Sequence, residues 1–176
     1  MASTKSPFVS IHGKRLGLAP GYMKVDGNPY GPPLNVSPAA AGNTATTAEV
    51  SLKSYSLPGG SLSATGHGIY VRAFGTLGGT TAGFKRATLY VGGVSITTGS
   101  LTDSAATWLL EARYFKTGAS TQRSFTAGQY GSTRLALATT TDTSTDTSDI
   151  TIAIKATSGS GSASDVLCNG LEVGFL

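Results

Sequence analysis

Hydrophobic and polar positions alternate most regularly over residues 106–117, around the only tryptophan of the chain. Side chains of a strand point to opposite faces in turn. Trp108, Leu110, Ala112 and Tyr114 therefore share one face, and Leu109, Glu111, Arg113 and Phe115 the other. The first set reads as core, with the indole as its largest apolar surface. The second mixes a charge pair with two large apolar groups. A face turned only to water does not need that mixture, so it predicts a partner. Helical spacing also fits Leu109, Ala112 and Lys116, but the Gly, Thr and Ser residues on both sides favour a strand.

The same alternation recurs along residues 49–176. Strands are predicted over 50–57, 68–76 (Ile69, Val71 and Ala73 inward; Tyr70, Arg72 and Phe74 outward), 84–91 (Ala87, Leu89 and Val91 inward; Arg86, Thr88 and Tyr90 outward), 94–98 after the hairpin signal Gly92-Gly93, and 106–117. Further strands are predicted over 121–130, with a possible extension over 134–138, over 149–157 (Ile150, Ile152 and Ile154 together) and over 166–176 (Leu167, Leu171, Val173 and Phe175 in phase). Residues 139–148 read as a Thr/Ser/Asp loop. Short strands separated by glycine-rich turns predict an all-β fold, an eight-stranded antiparallel jelly-roll sandwich.

Residues 1–48 have a different texture. Every proline except Pro58 lies before residue 39, together with Pro20-Gly21, Asp26-Gly27 and Asn28-Pro29. Proline locks φ and removes a donor from any ladder. The apolar residues Phe8, Ile11, Leu16, Leu18, Tyr22 and Tyr30 have no evident way to bury themselves, so the segment reads as an extended N-terminal arm that orders against something else. Residues 39–48 read as a plain linker, which divides the chain into an arm and linker at 1–48 and a β body at 49–176.

Composition narrows the function classes. The 176 residues suit one domain. Charged residues make up 12% of the chain, about half the usual share of roughly 25%. Ser, Thr and 24 glycines supply the polar surface instead. A single cysteine, Cys168, excludes an internal disulfide. No basic start precedes an apolar run, so no signal peptide is expected, and no apolar run is long enough to span a bilayer. The net charge of +4 falls mostly on the first segment, where Lys5, Lys14, Arg15 and Lys24 face Asp26. That is too little for a nucleic-acid footprint and enough for an acidic protein surface. Neither nucleic acid nor membrane is expected as a partner.

Catalytic signatures are missing. His12 and His67 have no second ligand at metal-binding spacing, Cys168 has no local base, and there is no Gly-x-Ser-x-Gly elbow. Asp142, Asp146 and Asp149 resemble the start of a calcium loop, but the glycine and the closing glutamate of such a loop are absent, and a solvated loop is the plainer reading. The expectation is a protein that is no enzyme and needs no metal or cofactor. The outward residues carry more information. Tyr70, Arg72, Phe74, Arg86, Tyr90, Leu109, Arg113 and Phe115 combine aromatics and arginine without lysine, the composition of an interface centre. They are therefore expected to form the interface of a homo-oligomer; a carbohydrate platform and an inverted assignment of faces are the alternatives.

Residues 52–76 (Leu-Lys-Ser-Tyr-Ser-Leu-Pro-Gly-Gly-Ser-Leu … Gly-Ile-Tyr-Val-Arg-Ala-Phe-Gly-Thr), 85–99 and 108–118 resemble, in that order, a domain of structural proteins of tailed bacteriophages. Residues 10–18 are similar to the leading segment of some phage head decoration proteins. The resemblance implies a virion jelly roll, often a homotrimer, used in capsid decoration or in fibre and receptor-binding tips. It carries over no set of functional residues. The long arm favours a capsid decoration (cement) protein on the outer surface of the capsid, made in the host cytoplasm. The arm residues Phe8, Ile11, Lys14, Arg15, Leu16, Leu18, Tyr22 and Tyr30 would then hold the major capsid protein. A receptor- or carbohydrate-binding tip is the alternative.

Overall fold

A computed structural model describes residues 34–79, 83–102, 105–144 and 147–176 in full, and the strands within residues 8–30 by their backbone pairing alone. Those first strands are β1 (Phe8–Ile11), β2 (Lys14–Ala19), β3 (Tyr22–Val25) and β4 (Asn28–Tyr30). Each pairs antiparallel with the next, in a small sheet of its own. The ladder bonds described for β1 to β4 thus run among these four strands. The side chains of Phe8, Ile11, Lys14, Arg15, Leu16, Leu18, Tyr22 and Tyr30 lie outside the described residues, as does His12.

The body is an antiparallel β-sandwich. Its strands are β5 (Asn35–Ser37), β6 (Ala41–Gly42), β7 (Val50–Leu57), β8 (Gly68–Leu77), β9 (Lys85–Val91), β10 (Val94–Thr97), β11 (Thr107–Gly118), β12 (Thr121–Tyr130), β13 (Thr133–Arg134), β14 (Ala138–Asp142), β15 (Ile150–Ser158) and β16 (Val166–Phe175). One sheet runs β10-β9-β15-β7 and the other β13-β12-β11-β8-β16-β5. The eight strands read from the alternation are β7 to β12, β15 and β16. The additions are short pieces on the edges of the larger sheet: β13 and β14 follow one another along β12, and β5 and β6 along β16.

Between the sheets lies one core. Trp108, Leu110, Ala112 and Tyr114 of β11 meet Ile69, Val71 and Ala73 of β8, Ala87, Leu89 and Val91 of β9, and Ile150, Ile152 and Ile154 of β15. All are buried. Each large apolar side chain here removes enough surface from water to contribute about 1.5–3 kcal/mol.

Three local expectations are corrected. Residues 139–142 read as loop in the sequence because their Thr-Thr-Thr-Asp run has no apolar alternation, yet with Ala138 they form β14. Threonine is β-branched and suits an extended chain, and the strand is held by backbone bonds to β12 with little burial of its own. Residues 39–48 read as linker in the sequence, yet they supply β6 and the buried Asn43. Asn43 accepts from Val166 N at 2.8 Å and donates to Ser162 O at 2.7 Å. The ammonium of Lys53 donates to the carbonyls of Ser37 and Ala39 and fastens the same segment. The alternation puts Leu167 in phase with Leu171, but a β-bulge between Cys168 and Gly170 inserts one residue, so Val166 and Cys168 face the core instead.

A polar pin crosses the core. The Tyr114 hydroxyl donates to Asp142 Oδ2 at 2.6 Å, and Gly93 N donates to the same oxygen at 2.9 Å. Ser144 N and Oγ donate to Asp142 Oδ1 at 3.0 and 2.8 Å. The pin joins β11 and β14 of the larger sheet to the β9–β10 turn of the smaller one. Burial pushes the Asp142 carboxyl up, but the bonds from Tyr114, Gly93 and Ser144 outweigh it and leave the group below its usual range. Burial, then Asp142, push the Tyr114 phenol well above its usual value.

Two outcomes are expected. The stabilisation from Asp142 is complete above the unfolded aspartate value of about 3.9 and is lost as pH falls towards the lower folded value. That from Tyr114 is complete below about 10 and is lost as pH rises beyond it. Asp142→Asn should therefore cost about 1–3 kcal/mol at neutral pH and flatten the acid limb of a stability–pH profile measured by urea unfolding. In the second, removal of residues 2–33 should leave the unfolding midpoint of the body nearly unchanged. Removal of 2–43 strands Lys53 and Val166 N without partners and should lower stability by about 3 kcal/mol or more in the same assay.

Candidate binding face

The core positions of β8, β11 and β16 leave the intervening residues on the outside of the larger sheet. Register lines these up in rows across neighbouring strands. Gly170, Phe74, Leu109 and Gln129 form one row. Glu172, Arg72, Glu111 and Ala127 form the next, and Gly174, Tyr70, Arg113 and Phe125 the third. Phe115 stands one row further on, opposite Gly68.

The glycines give this face its shape. A Cβ at Gly170 would lie 2.4 Å from Phe74 Cζ, one at Gly174 2.4 Å from Tyr70 Cε1, and one at Gly68 2.6 Å from Phe115 Cδ1. Each ring thus lies over a glycine on the adjacent strand, in space that any side chain would fill. Two shallow grooves follow. One of about 570 Å³ is lined by Tyr70, Arg72, Glu111, Arg113, Phe125, Glu172 and Leu176 among others. The other, about 450 Å³, is lined by Arg72, Phe74, Leu109, Gln129 and Glu172 with its neighbours. They share Arg72 and Glu172. A third hollow of about 430 Å³, almost wholly apolar, lies beyond Phe125 against Phe115 and Lys116.

Between the rings, Arg72 Nε donates to Glu111 Oε1 at 2.8 Å. The side chains are 49% and 39% exposed, so the pair is wet and reachable by a ligand. The hydrogen bond and charge of Glu111 raise the guanidinium further above its usual value, with a smaller push from Glu172. Arg113 is exposed and Glu172 half-buried, and neither makes a hydrogen bond or ion pair among the described residues.

Six of the eight outward residues expected to form one surface are brought together here: Tyr70, Arg72, Phe74, Leu109, Arg113 and Phe115. Arg86 and Tyr90 belong to β9 in the smaller sheet, and their faces point the opposite way. Tyr90 donates to Glu49 at 3.0 Å, with the Lys155 ammonium 4.7 Å from its ring centre. Arg86 Nη2 lies 3.4 Å from Thr157 Oγ1. Sequence reasoning missed Glu172, Gln129 and Phe125. The run Gly170-Leu-Glu-Val-Gly174 held a usable signal: two glycines on one face of a strand, with a charge between them, mark a close approach of neighbouring side chains.

The other candidates are occupied elsewhere. Asp142 is the core pin, and Asp149 accepts from Gly59 N at 2.9 Å and Ser56 Oγ at 3.0 Å. Asp146 lies outside the described residues. Among the described residues no group of three His, Cys, Asp or Glu side chains is placed to hold a metal. Cys168 is buried, and burial pushes its thiol up, away from the reactive thiolate. His67 contacts Ser63 Oγ at 3.4 Å near the surface.

The chain therefore carries an all-β antiparallel sandwich with an open, ring-floored outer face. No family model matches the chain, and no curated protein matches it. Among solved structures, the CBM2 module of the evolved Dit of Lactobacillus casei BL23 phage J-1 aligns over 96% of this chain and 79% of its own, with 9% identity and a TM-score of 0.38.

The rings are held off the core, so the face can be altered without unfolding the body. Gly170→Val should lift Phe74 from the sheet with a stability change of about 1 kcal/mol or less, since only the far end of a half-exposed ring must move. Near-ultraviolet circular dichroism should change while the far-ultraviolet spectrum stays.

Proposed function

We propose that the body is a glycan-binding domain of a phage virion, of the receptor- or carbohydrate-binding kind, working through the outer face of the larger sheet. The observation that carries this is the pair of rings, Tyr70 and Phe74, lying over Gly174 and Gly170 beside Glu172 and the Arg72–Glu111 pair. A pyranose has an apolar face of C–H bonds and a rim of hydroxyls. The first suits the negative face of an aromatic ring, and the second suits carboxylate and guanidinium groups. A protein–protein interface fits less well, because interface centres are depleted of glutamate and aspartate, and this face holds two carboxylates at its middle. Ligand sites combine aromatic walls with a few convergent polar groups, as here.

Capsid decoration is the second reading. What favours it is the sheet β1–β4 ahead of the body, whose strands, among the described residues, pair with one another. In that case β1–β4 would grip the major capsid protein and the bodies would associate, as a homotrimer by the resemblance noted above. On both readings the protein works on the outside of the virion.

A printed glycan array probed with the full chain tests the first reading. Binding should be seen, and Tyr70→Ala and Phe74→Ala should each weaken it about tenfold or more while leaving the unfolding midpoint within a few degrees. A blank array, together with co-sedimentation with phage heads and a trimeric native mass, would favour decoration instead.

A further inference from the structure

We propose that Glu172 is the hydroxyl-binding residue of this face and that it selects neutral oligosaccharides over polyanionic ones, an assignment that rests on the glycan-binding reading. Glu172 stands on β16 between Gly170 and Gly174, so no side chain of its own strand crowds its carboxylate on that face. Its partner across the ladder is Arg72, but Arg72 Nε is committed to Glu111 on the far side. Both oxygens of Glu172 are left as free acceptors among the described residues. A carboxylate in that state can accept hydrogen bonds from two neighbouring hydroxyls at once.

Its place in the register suits the task. Glu172 lines both grooves. Its diagonal neighbours on β8 are Tyr70 on one side and Phe74 on the other, and such diagonal pairs lie about 7–8 Å apart. A sugar seated on either ring turns hydroxyls of its rim towards the same carboxylate. The two rings are four residues apart along β8, about 13 Å, which is longer than one pyranose, so the ligand that uses both is an oligosaccharide.

Charge decides the class. Along the central row two carboxylates flank one guanidinium, and that guanidinium is already paired. In the groove at the Phe74 end, Arg72 and Glu172 are the charged residues of the lining. A uronate, sialate or phosphate there would meet a carboxylate that makes no ion pair among the described residues, and like charges so placed suppress the wrong ligand. The other arginines of the outer face stay out of that groove's lining: Arg113 lines the other groove, Arg123 stands opposite Phe115 and Arg134 opposite Gln129.

The full chain is applied to an array of neutral hexose and N-acetylhexosamine oligosaccharides printed beside uronate-containing and sialylated ones. The expected result is binding confined to neutral glycans, a loss of about tenfold or more in Glu172→Ala, and relaxed exclusion of acidic glycans in Glu172→Gln. Unfolding midpoints read in parallel separate this from a structural role, and the isosteric Gln variant carries the test should the Ala variant not fold. Acidic glycans bound as well as neutral ones by the unaltered chain, or neutral binding indifferent to both substitutions, would overturn the assignment and leave glycan binding standing. A blank array overturns glycan binding and this assignment with it.

Discussion

The antiparallel register between β8 and β11 holds the rest of the molecule in place. It runs without a break from the Thr107↔Thr76 pair to the Phe115↔Gly68 pair. Because side chains alternate strictly, one register assigns every residue of both strands to a face. Trp108, Leu110, Ala112 and Tyr114 close over Ile69, Val71 and Ala73 as core. By the same parity Tyr70, Arg72 and Phe74 are set against Arg113, Glu111 and Leu109 outside. Core and binding face are two sides of one constraint, and neither can slip without the other.

The pin between Tyr114 and Asp142 complements that constraint. Hydrophobic burial presses the sheets together without fixing their lateral position, since it is not directional. A buried hydroxyl and carboxylate, joined to Gly93 and Ser144, are directional and costly to leave unmade. Gly92 has a φ of 58°, and a Cβ there would meet Asp142 Oδ2 at 2.8 Å and the Tyr114 hydroxyl at 3.0 Å. The Gly92-Gly93 turn is therefore both a hairpin and the room in which the sheets are joined. The aspartate that resembles a first calcium ligand is spent on holding the fold.

At the other edge, the β-bulge at Asn169 reconciles two demands on β16. Val166 and Cys168 point into the core before it, Leu171 and Val173 after it, and the strand stays paired with β8 throughout. The alternation beyond the bulge puts Gly170, Glu172 and Gly174 on the outer face. The rings of Phe74 and Tyr70 then find bare backbone to lie on, and a glutamate between them. The edge beyond is covered by β5 and β6, fastened by Lys53 and Asn43, so β16 presents one of its edges only over part of its length.

The strands of the body were legible in the sequence because alternation with a period of two, bounded by glycine, is a local property of the chain. Trp108 with its neighbours, the β8 triplet and the isoleucines of β15 could be assigned to a face without reference to anything distant. What the tertiary structure alone decided depends on which strands become neighbours. It split Arg86 and Tyr90 from the other outward residues by placing β9 in the smaller sheet. It made a strand of a threonine run whose stability comes from the edge of β12. It turned a plain-looking linker into the cover of β16 through Asn43 and Lys53, bonds between residues far apart in sequence. And it set glycines of β16 beneath rings of β8, because a cross-strand fit is a property of two segments and is written in neither one.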